Sequence, residues 1–519
     1  MALLAFAPQG YEGYLVSVEV DIRRGIPGLD VVGLPDSAVK EARERIKTAI
    51  RNSGFELPGG RILINLAPAG RRKEGAGFDL PMALGVLAAG GQVAFRQDSP
   101  LLVMGELTLG GDCRGVSGVL SAVAGAAGLG VRDFLVPWAN LEEARAVRQA
   151  RIFAIRRLSE LPRIGTRLLD PRDGGDRAAP RGEAPPELPE DFEDFAAIRG
   201  QEELKRALEV AALGGHHLIL FGPPGSGKTM SARSLAGILP PLSPRESLEV
   251  TRIHSLAGLL PEHSGLITQP VFRSPHHSAS REGIIGGGRP LLPGEVSLAH
   301  RGVLFLDEAP EFHRDLLQNL REPLETGRVN LVRADGNCFF PAEFQLILAA
   351  NPCPCGNLGK EKGVCICSPQ EVRRYWRQLG GALMDRIDMR LPVRPLDSGD
   401  YAKGPGESSA QAARRIRQAR EFQARRYTGE GEGAGPPPRN SRLTSRQLSL
   451  YCSLEPPEKA VLAKAIGQLG LSSRAVDSLQ KLSRSLADLE GEERIGRHHL
   501  LEALQYRRYG DGDFFWQYG

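Results

Sequence analysis

Eight consecutive residues, Gly222-Pro223-Pro224-Gly225-Ser226-Gly227-Lys228-Thr229, follow the pattern G-x-x-x-x-G-K-[ST]. Glycines at these spacings let several backbone N–H groups converge on one phosphate at the start of a helix, where the helix dipole also favours negative charge. Lys228 would offset charge on the β- and γ-phosphates, and the Thr229 hydroxyl would ligate magnesium. The flanks supply the required context, because Leu218 to Phe221 reads as a buried strand and Thr229 to Leu239 as a helix. ATP and Mg²⁺ are therefore the expected cofactors.

A second run, Gly302-Val-Leu-Phe-Leu-Asp307-Glu308, is an apolar strand that ends in two carboxylates. In a parallel sheet, ligands gather at the carboxyl ends of strands, so both acids are expected to face the phosphates. Asp307 would hold the magnesium shell with Thr229, and Glu308 would orient and polarise an attacking water. Asn351 closes a further apolar strand, Leu346 to Ala350. Its amide would help position that water; an ordinary Asn-Pro turn is the other reading. Directly beyond it, Cys353, Cys355, Cys365 and Cys367 offer four thiolates in one loop, either a closed structural zinc site or a set of free thiols.

These groups need a scaffold, and 519 residues exceed what one core organises, so about three domains are expected. Lys plus Arg total 66 against 62 Asp plus Glu, so only local clustering could build a polyanion site. Seven cysteines, four of them crowded together, fit a reduced cytoplasmic protein better than a disulfide framework. No apolar run is long enough to span a bilayer, and no membrane partner is expected.

Residues 1–168 mix strands and helices: Val16, Val18 and Val20 alternate with polar residues, and Val39, Ala42, Ile46 and Ile50 share one helical face. Residues 169–190 are rich in Pro, Gly and charge and read as an exposed linker. In residues 191–395, continuous apolar runs separated by helical patterns imply a parallel α/β sheet. A connector over 396–440 carries the basic stretch ARRIRQAREFQARRY, either a DNA-facing helix or a solvated connector helix. Residues 441–512 have helical spacing without strand signals, and a small helical bundle is expected.

Taken with their surroundings, GGHHLILFGPPGSGKT, FRSPHHSASREGIIGGG, PGEVSLAHRGVLFLDEAPEF, REPLETGRV, AANPCPCG and MDRIDM resemble the magnesium-chelatase-like AAA+ family. Within it the likeness is to the bacterial ComM/YifB subgroup, and it extends to the opening GIPGLDVVGLPDSAVKEARERIKTAIRNSGFELP and the closing LGLSSRAVDSLQKLSRSLADLEG. The resemblance implies a hexameric ring with ATP between neighbouring subunits. Arg386 in MDRIDM would then be the arginine finger that reaches the neighbour's γ-phosphate, and Arg474 in LSSRAV the sensor arginine on a helical lid.

The same resemblance implies a helicase that drives branch migration on single-stranded or branched DNA in recombination or natural transformation. Two segments offer DNA contacts: the insertion with Arg273, His276, His277, Arg281 and Arg289, and a hairpin over Arg328 to Phe344 turning at Asp335-Gly336-Asn337. Two other functions remain open, a chelatase-type motor acting on a protein partner and a nucleotide-switched scaffold. The N-terminal region resembles the Lon-type proteolytic fold. The positions expected to supply its nucleophile and base fall near Phe78 and Leu120, which cannot do that chemistry, so a non-proteolytic platform is implied.

Overall fold

In the computed structural model, the described residues are 3–94, 99–170, 173, 175–176, 192–333, 336–360, 363–396, 398–402, 404–427 and 438–509. The first domain is built on strands β1 (Leu3–Gln9), β2 (Glu12–Arg23), β3 (Gly28–Val32), β4 (Arg61–Ala67), β5 (Leu101–Val103), β6 (Asp133–Pro137) and β7 (Arg151–Ile155). They form one mixed sheet in the order β3-β4-β2-β1-β5-β6-β7, antiparallel at β1-β2 and β2-β4 and parallel elsewhere. Helix α1 (Ser37–Asn52) turns the predicted face inward, with Val39, Ala42, Ile46 and Ile50 buried. Asp36 caps its N-terminus by accepting from the Val39 N–H at 2.8 Å.

Helices α2 (Asp79–Ala89) and α3 (Val119–Gly128) complete this core. Phe78 and Leu120 are both buried in it. Their neighbours are occupied as well: Asp79 pairs with Arg45 at 2.6 Å, and the Ser121 hydroxyl donates to the Tyr11 carbonyl at 3.2 Å. After helix α4 (Leu161–Leu169), Asp173 and Asp176 each bind Arg167 at 2.8 Å. The start of the expected linker is thus tied to the first domain, because two acids within reach of one guanidinium fold back on it; residues 177–191 lie outside the described residues.

The second domain begins with α5 (Glu202–Gly214) and β8 (Leu218–Phe221), followed by α6 (Lys228–Ala236) and α7 (Pro244–Leu256). Then come β9 (Phe272–Arg273), β10 (Val303–Leu306), α8 (Arg321–Thr326), the hairpin β11 (Arg328–Arg333) and β12 (Gly336–Pro341), β13 (Gln345–Ala350), α9 (Pro369–Arg377) and β14 (Met389–Pro392). The five strands β9-β10-β13-β8-β14 are all parallel in that order. Every residue of β8, β10 and β13 is buried, as strands covered on both faces require.

The hairpin pairs Arg333 with Gly336 and Val332 with Asn337, so two residues of the Asp335-Gly336-Asn337 turn expected lie in the ladder; residues 334–335 lie outside the described residues. Ladder register decides the turn, and Gly336 and Asn337 are taken up as strand residues. At the hairpin's other end the first domain docks. The Tyr11 N–H donates to the Phe339 carbonyl at 2.9 Å, and Arg252 of α7 lies 4.2 Å from the Tyr11 ring centroid.

The remaining helices are α10 (Ser409–Arg426), α11 (Ser445–Tyr451), α12 (Pro456–Leu469), α13 (Ser473–Glu490) and α14 (Arg497–Tyr506). Helix α10 buries Ala412, Ile416, Ala419 and Gln423. Its arginines are largely committed to the protein: Arg415 pairs with Glu209 and Glu407, Arg426 with Asp488, and Arg420 donates to Gln423 at 3.0 Å. Of the two readings of this stretch, the connector helix describes these contacts; Arg414 and Arg417 remain on its exposed side. No helix among the described residues is long and apolar enough to cross a membrane.

Candidate functional site: a nucleotide pocket at the carboxyl ends of the strands

The loop from Gly222 to Gly227 links the central strand β8 to α6. Gly222 is required by close approach, because a Cβ there would stand 2.2 Å from the Val393 carbonyl oxygen beyond β14. Gly225 and Gly227 have φ of +80° and +91°, a region side chains rarely tolerate. Gly227 is the N-cap of α6 and supplies no side-chain hydrogen bond, and the first turn holds no acid. The amides at this helix start therefore keep their donors for a phosphate, the fit expected for ATP.

Lys228 is buried and points into the loop, donating to the carbonyls of Gly222 at 2.8 Å and Pro223 at 3.0 Å and to Asn351 Oδ1 at 3.2 Å. Burial pushes its ammonium below the usual lysine range, while Asp307 and Glu308 pull the other way. A bound polyanion would reverse the burial effect by supplying the missing countercharge. The Ser226 hydroxyl is buried without a hydrogen-bond partner, a further polar atom for a ligand to satisfy. Gly356 of the cysteine loop packs onto the same segment, since a Cβ on it would lie 2.8 Å from Pro224.

The expected magnesium ligands meet. Thr229 Oγ1 donates to Asp307 Oδ2 at 2.7 Å, across 78 positions of sequence. A hard divalent cation takes oxygen ligands of this kind and would neutralise phosphate charge there. Glu308 follows Asp307 with φ of +49°, and its N–H donates to Asp307 Oδ1 at 2.9 Å. A non-glycine residue in that region costs about 1–3 kcal/mol, strain that keeps the exposed Glu308 carboxylate at the mouth of the site rather than in a relaxed turn. Asn351 at the end of β13 completes the set. Its neighbour is fixed by Trp376, whose indole N–H donates to the Pro352 carbonyl at 3.1 Å.

Arg386 and Arg474 sit elsewhere. Arg386 precedes β14 and so lies at the amino ends of the strands, at least one strand length, about 13 Å, from its own loop. It donates to the Ala382 carbonyl at 2.5 Å and pairs with Glu325 of α8. Arg474, in the first turn of α13, pairs with the same Glu325 at 2.9 Å, and the Ser472 hydroxyl donates to Asp385 at 3.0 Å. Glu325 was legible only as one charge within REPLETGRV; nothing in its spacing announced that two distant arginines would share it. Its carboxyl is held below the usual glutamate range, first by the Arg474 hydrogen bond, which burial opposes, and then by Arg386.

The other predicted groups divide. Arg273 is bound to Glu295 by two contacts of 2.6 Å, so it braces the insertion rather than facing outward. His276 and His277 lie ring to ring at 4.1 Å, and Arg281 and Arg289 are exposed. The four loop cysteines do converge, with sulfur distances of 3.4 Å for Cys353–Cys355 and 3.7 Å for both Cys353–Cys365 and Cys355–Cys365.

Comparison with known proteins agrees with this geometry. A family model described as Magnesium chelatase, subunit ChlI, matches residues 194–401; its C-terminal counterpart matches 406–507, and Subunit ChlI of Mg-chelatase matches 18–140. The YifB protein of Salmonella typhimurium is 41% identical over 496 residues, covering 95% of this chain and 94% of its own. Competence protein ComM of Haemophilus influenzae is 39% identical over 509 residues, covering 96% of each. The chain belongs to the magnesium-chelatase-like AAA+ family, in its ComM/YifB subgroup. Membership in this family implies ATP and Mg²⁺ at the pocket just described. The 38 kDa magnesium-chelatase subunit of Rhodobacter capsulatus is more distant, 27% identical over 332 residues and covering 59% of this chain.

Proposed function

We propose that the chain is a ring-forming ATPase that moves single-stranded or branched DNA, acting in the cytoplasm as a branch-migration helicase in recombination or natural transformation. The observation that carries the reading is coverage. The competence protein ComM spans 96% of this chain, first domain included, whereas the chelatase subunit from Rhodobacter capsulatus spans 59%. An ATPase core serves many machines, so the parts outside it weigh most in choosing among them.

In this reading the first domain is the Lon-like, non-proteolytic platform and residues 441–512 are the lid. Lys228, Thr229 and Asp307 grip the nucleotide, and Glu308 takes up a proton from the attacking water while the Asn351 amide orients it. Arg386 and Arg474, at the far end of the sheet from their own loop, serve the next subunit of a hexamer. Support for a DNA path comes from the exposed Arg281 and Arg289 and from the projecting hairpin, where Val332 is 79% exposed.

The deciding assay is ATP hydrolysis by the purified chain with forked, three-way and four-way DNA. Hydrolysis should rise severalfold with at least one of these, with strand displacement that disappears in Glu308→Gln. Turnover indifferent to every DNA form would refute the DNA motor and leave the ATPase.

A further inference from the structure

The loop from Cys353 to Cys367 joins β13 to α9 without a helix or strand among its described residues. Its burial does not explain its shape, because Val364 and Ile366 are 81% and 84% exposed on either side of Cys365. A segment that turns its aliphatic side chains to water needs another constraint. The cysteines supply one. All four sulfurs lie within 4.8 Å of one another and all four cysteines are free; the 3.4 Å between Cys353 and Cys355 is far beyond a disulfide bond of about 2.05 Å. Four thiolates at about 2.3 Å from a tetrahedral zinc stand about 3.8 Å apart, close to the separations of 3.4, 3.7 and 3.7 Å among Cys353, Cys355 and Cys365. The Leu358 N–H also donates to Cys353 Sγ at 3.4 Å, the kind of outer hydrogen bond that orients a thiolate ligand.

We infer that Cys353, Cys355, Cys365 and Cys367 bind one structural Zn²⁺ that staples this loop against the nucleotide pocket. The placement gives the metal a task. Cys353 and Cys355 follow Asn351 directly, Cys367 precedes the Ser368 cap of α9, and Trp376 of that helix holds Pro352. Between them Gly356 presses on Pro224, and Lys360 lies close enough to Lys228 to act on its charge. A closed four-thiolate shell leaves no coordination position for substrate, so the zinc positions Asn351 and the loop and takes no part in the chemistry. The other cluster with metal-like spacing, Glu490, Glu492, His498 and His499, is mostly exposed, and Glu490 already pairs with Arg206.

Metal content of the full chain, purified with zinc present and then gel-filtered, tests the site. About one zinc per chain is expected, falling to background in Cys365→Ser/Cys367→Ser and unchanged in Cys113→Ser/Cys452→Ser. Cobalt loaded into the parent protein should show the absorption of a tetrahedral tetrathiolate, a readout that does not depend on the variant folding. Release of the metal by a chelator, with Mg²⁺ then restored, should weaken binding of a fluorescent ATP analogue. Substoichiometric zinc in the parent, or zinc retained without Cys365 and Cys367, would overturn the site. Nucleotide affinity unchanged by metal release would overturn its coupling to the pocket.

Discussion

The two ends of the five-stranded sheet carry opposite kinds of charge arrangement. At the carboxyl ends, Lys228, Thr229, Asp307, Glu308 and Asn351 converge from three strands, with Lys228 depressed by burial and the Ser226 hydroxyl unpartnered. At the amino ends, Arg386 and Arg474 share the single carboxylate of Glu325, which leaves one positive charge uncompensated by it. The first end is organised around a ligand with many negative oxygens. The second holds its two arginines on one acid of the same chain, and Arg386 is only 9% exposed on its side chain. In the proposed ring, arginines that serve a neighbour's phosphate would be kept in order by this shared carboxylate until that phosphate arrives, at little energetic cost for the half-exposed Arg474–Glu325 pair, since exposed pairs are worth about 0–1 kcal/mol.

The comparison breaks most visibly at the first end. Lys228→Ala should abolish nucleotide binding, with hydrolysis at background, because the site loses the buried ammonium at the centre of its phosphate loop. Glu308→Gln should keep binding within a few-fold while turnover falls about 100-fold or more, the scale of a lost general base. Binding titrations beside steady-state hydrolysis separate the two; equal loss of binding in both variants would contradict the division of labour.

The second end should show its effect only between subunits. Arg386→Ala and Arg474→Ala should each lower hydrolysis by about 100-fold or more with nucleotide binding intact. Mixing either with Lys228→Ala protein should restore part of the activity, because one partner brings the arginines and the other the intact pocket. Mixtures no more active than their components would show that both arginines act within their own chain.

The smallest effect concerns the resting contact. Glu325 has its carboxyl held low by Arg474 and Arg386, so its contribution to stability is present above the unfolded glutamate value, about 4.3, and is lost as pH falls through the folded value. Thermal melts of parent and Glu325→Gln should therefore differ by about a degree or two at neutral pH and converge as pH falls through the lowered folded value, with the gap shrinking in salt because Glu325 and Arg474 are half-exposed. A gap that widens as pH falls would reverse the sign assigned to this pair.

How much of this was legible differs by region. The pocket residues announce themselves because phosphate binding imposes local spacing: a strand, a glycine-bearing turn and a helix start must be adjacent in sequence. Alternation in β2 and the inward face of α1 were equally readable, since burial of one face imposes a period. The hairpin turn was misplaced because Gly336 and Asn337 favour turns, yet the pairing of Arg333 with Gly336 fixes the ladder. The basic run of α10 could not be resolved from composition, because its acids, Glu209, Glu407 and Asp488, come from elsewhere in the chain.

The sequence by itself determined the chemistry of the nucleotide pocket and the parallel α/β scaffold, for both rest on short-range patterns that backbone geometry enforces. Only the tertiary structure decided that Thr229 and Asp307 touch, that the sulfurs of four cysteines converge, and that Arg386 and Arg474 meet on Glu325. Those contacts reach across as many as 149 positions of sequence, and a chain holds such pairs together only once its sheets and helices have packed.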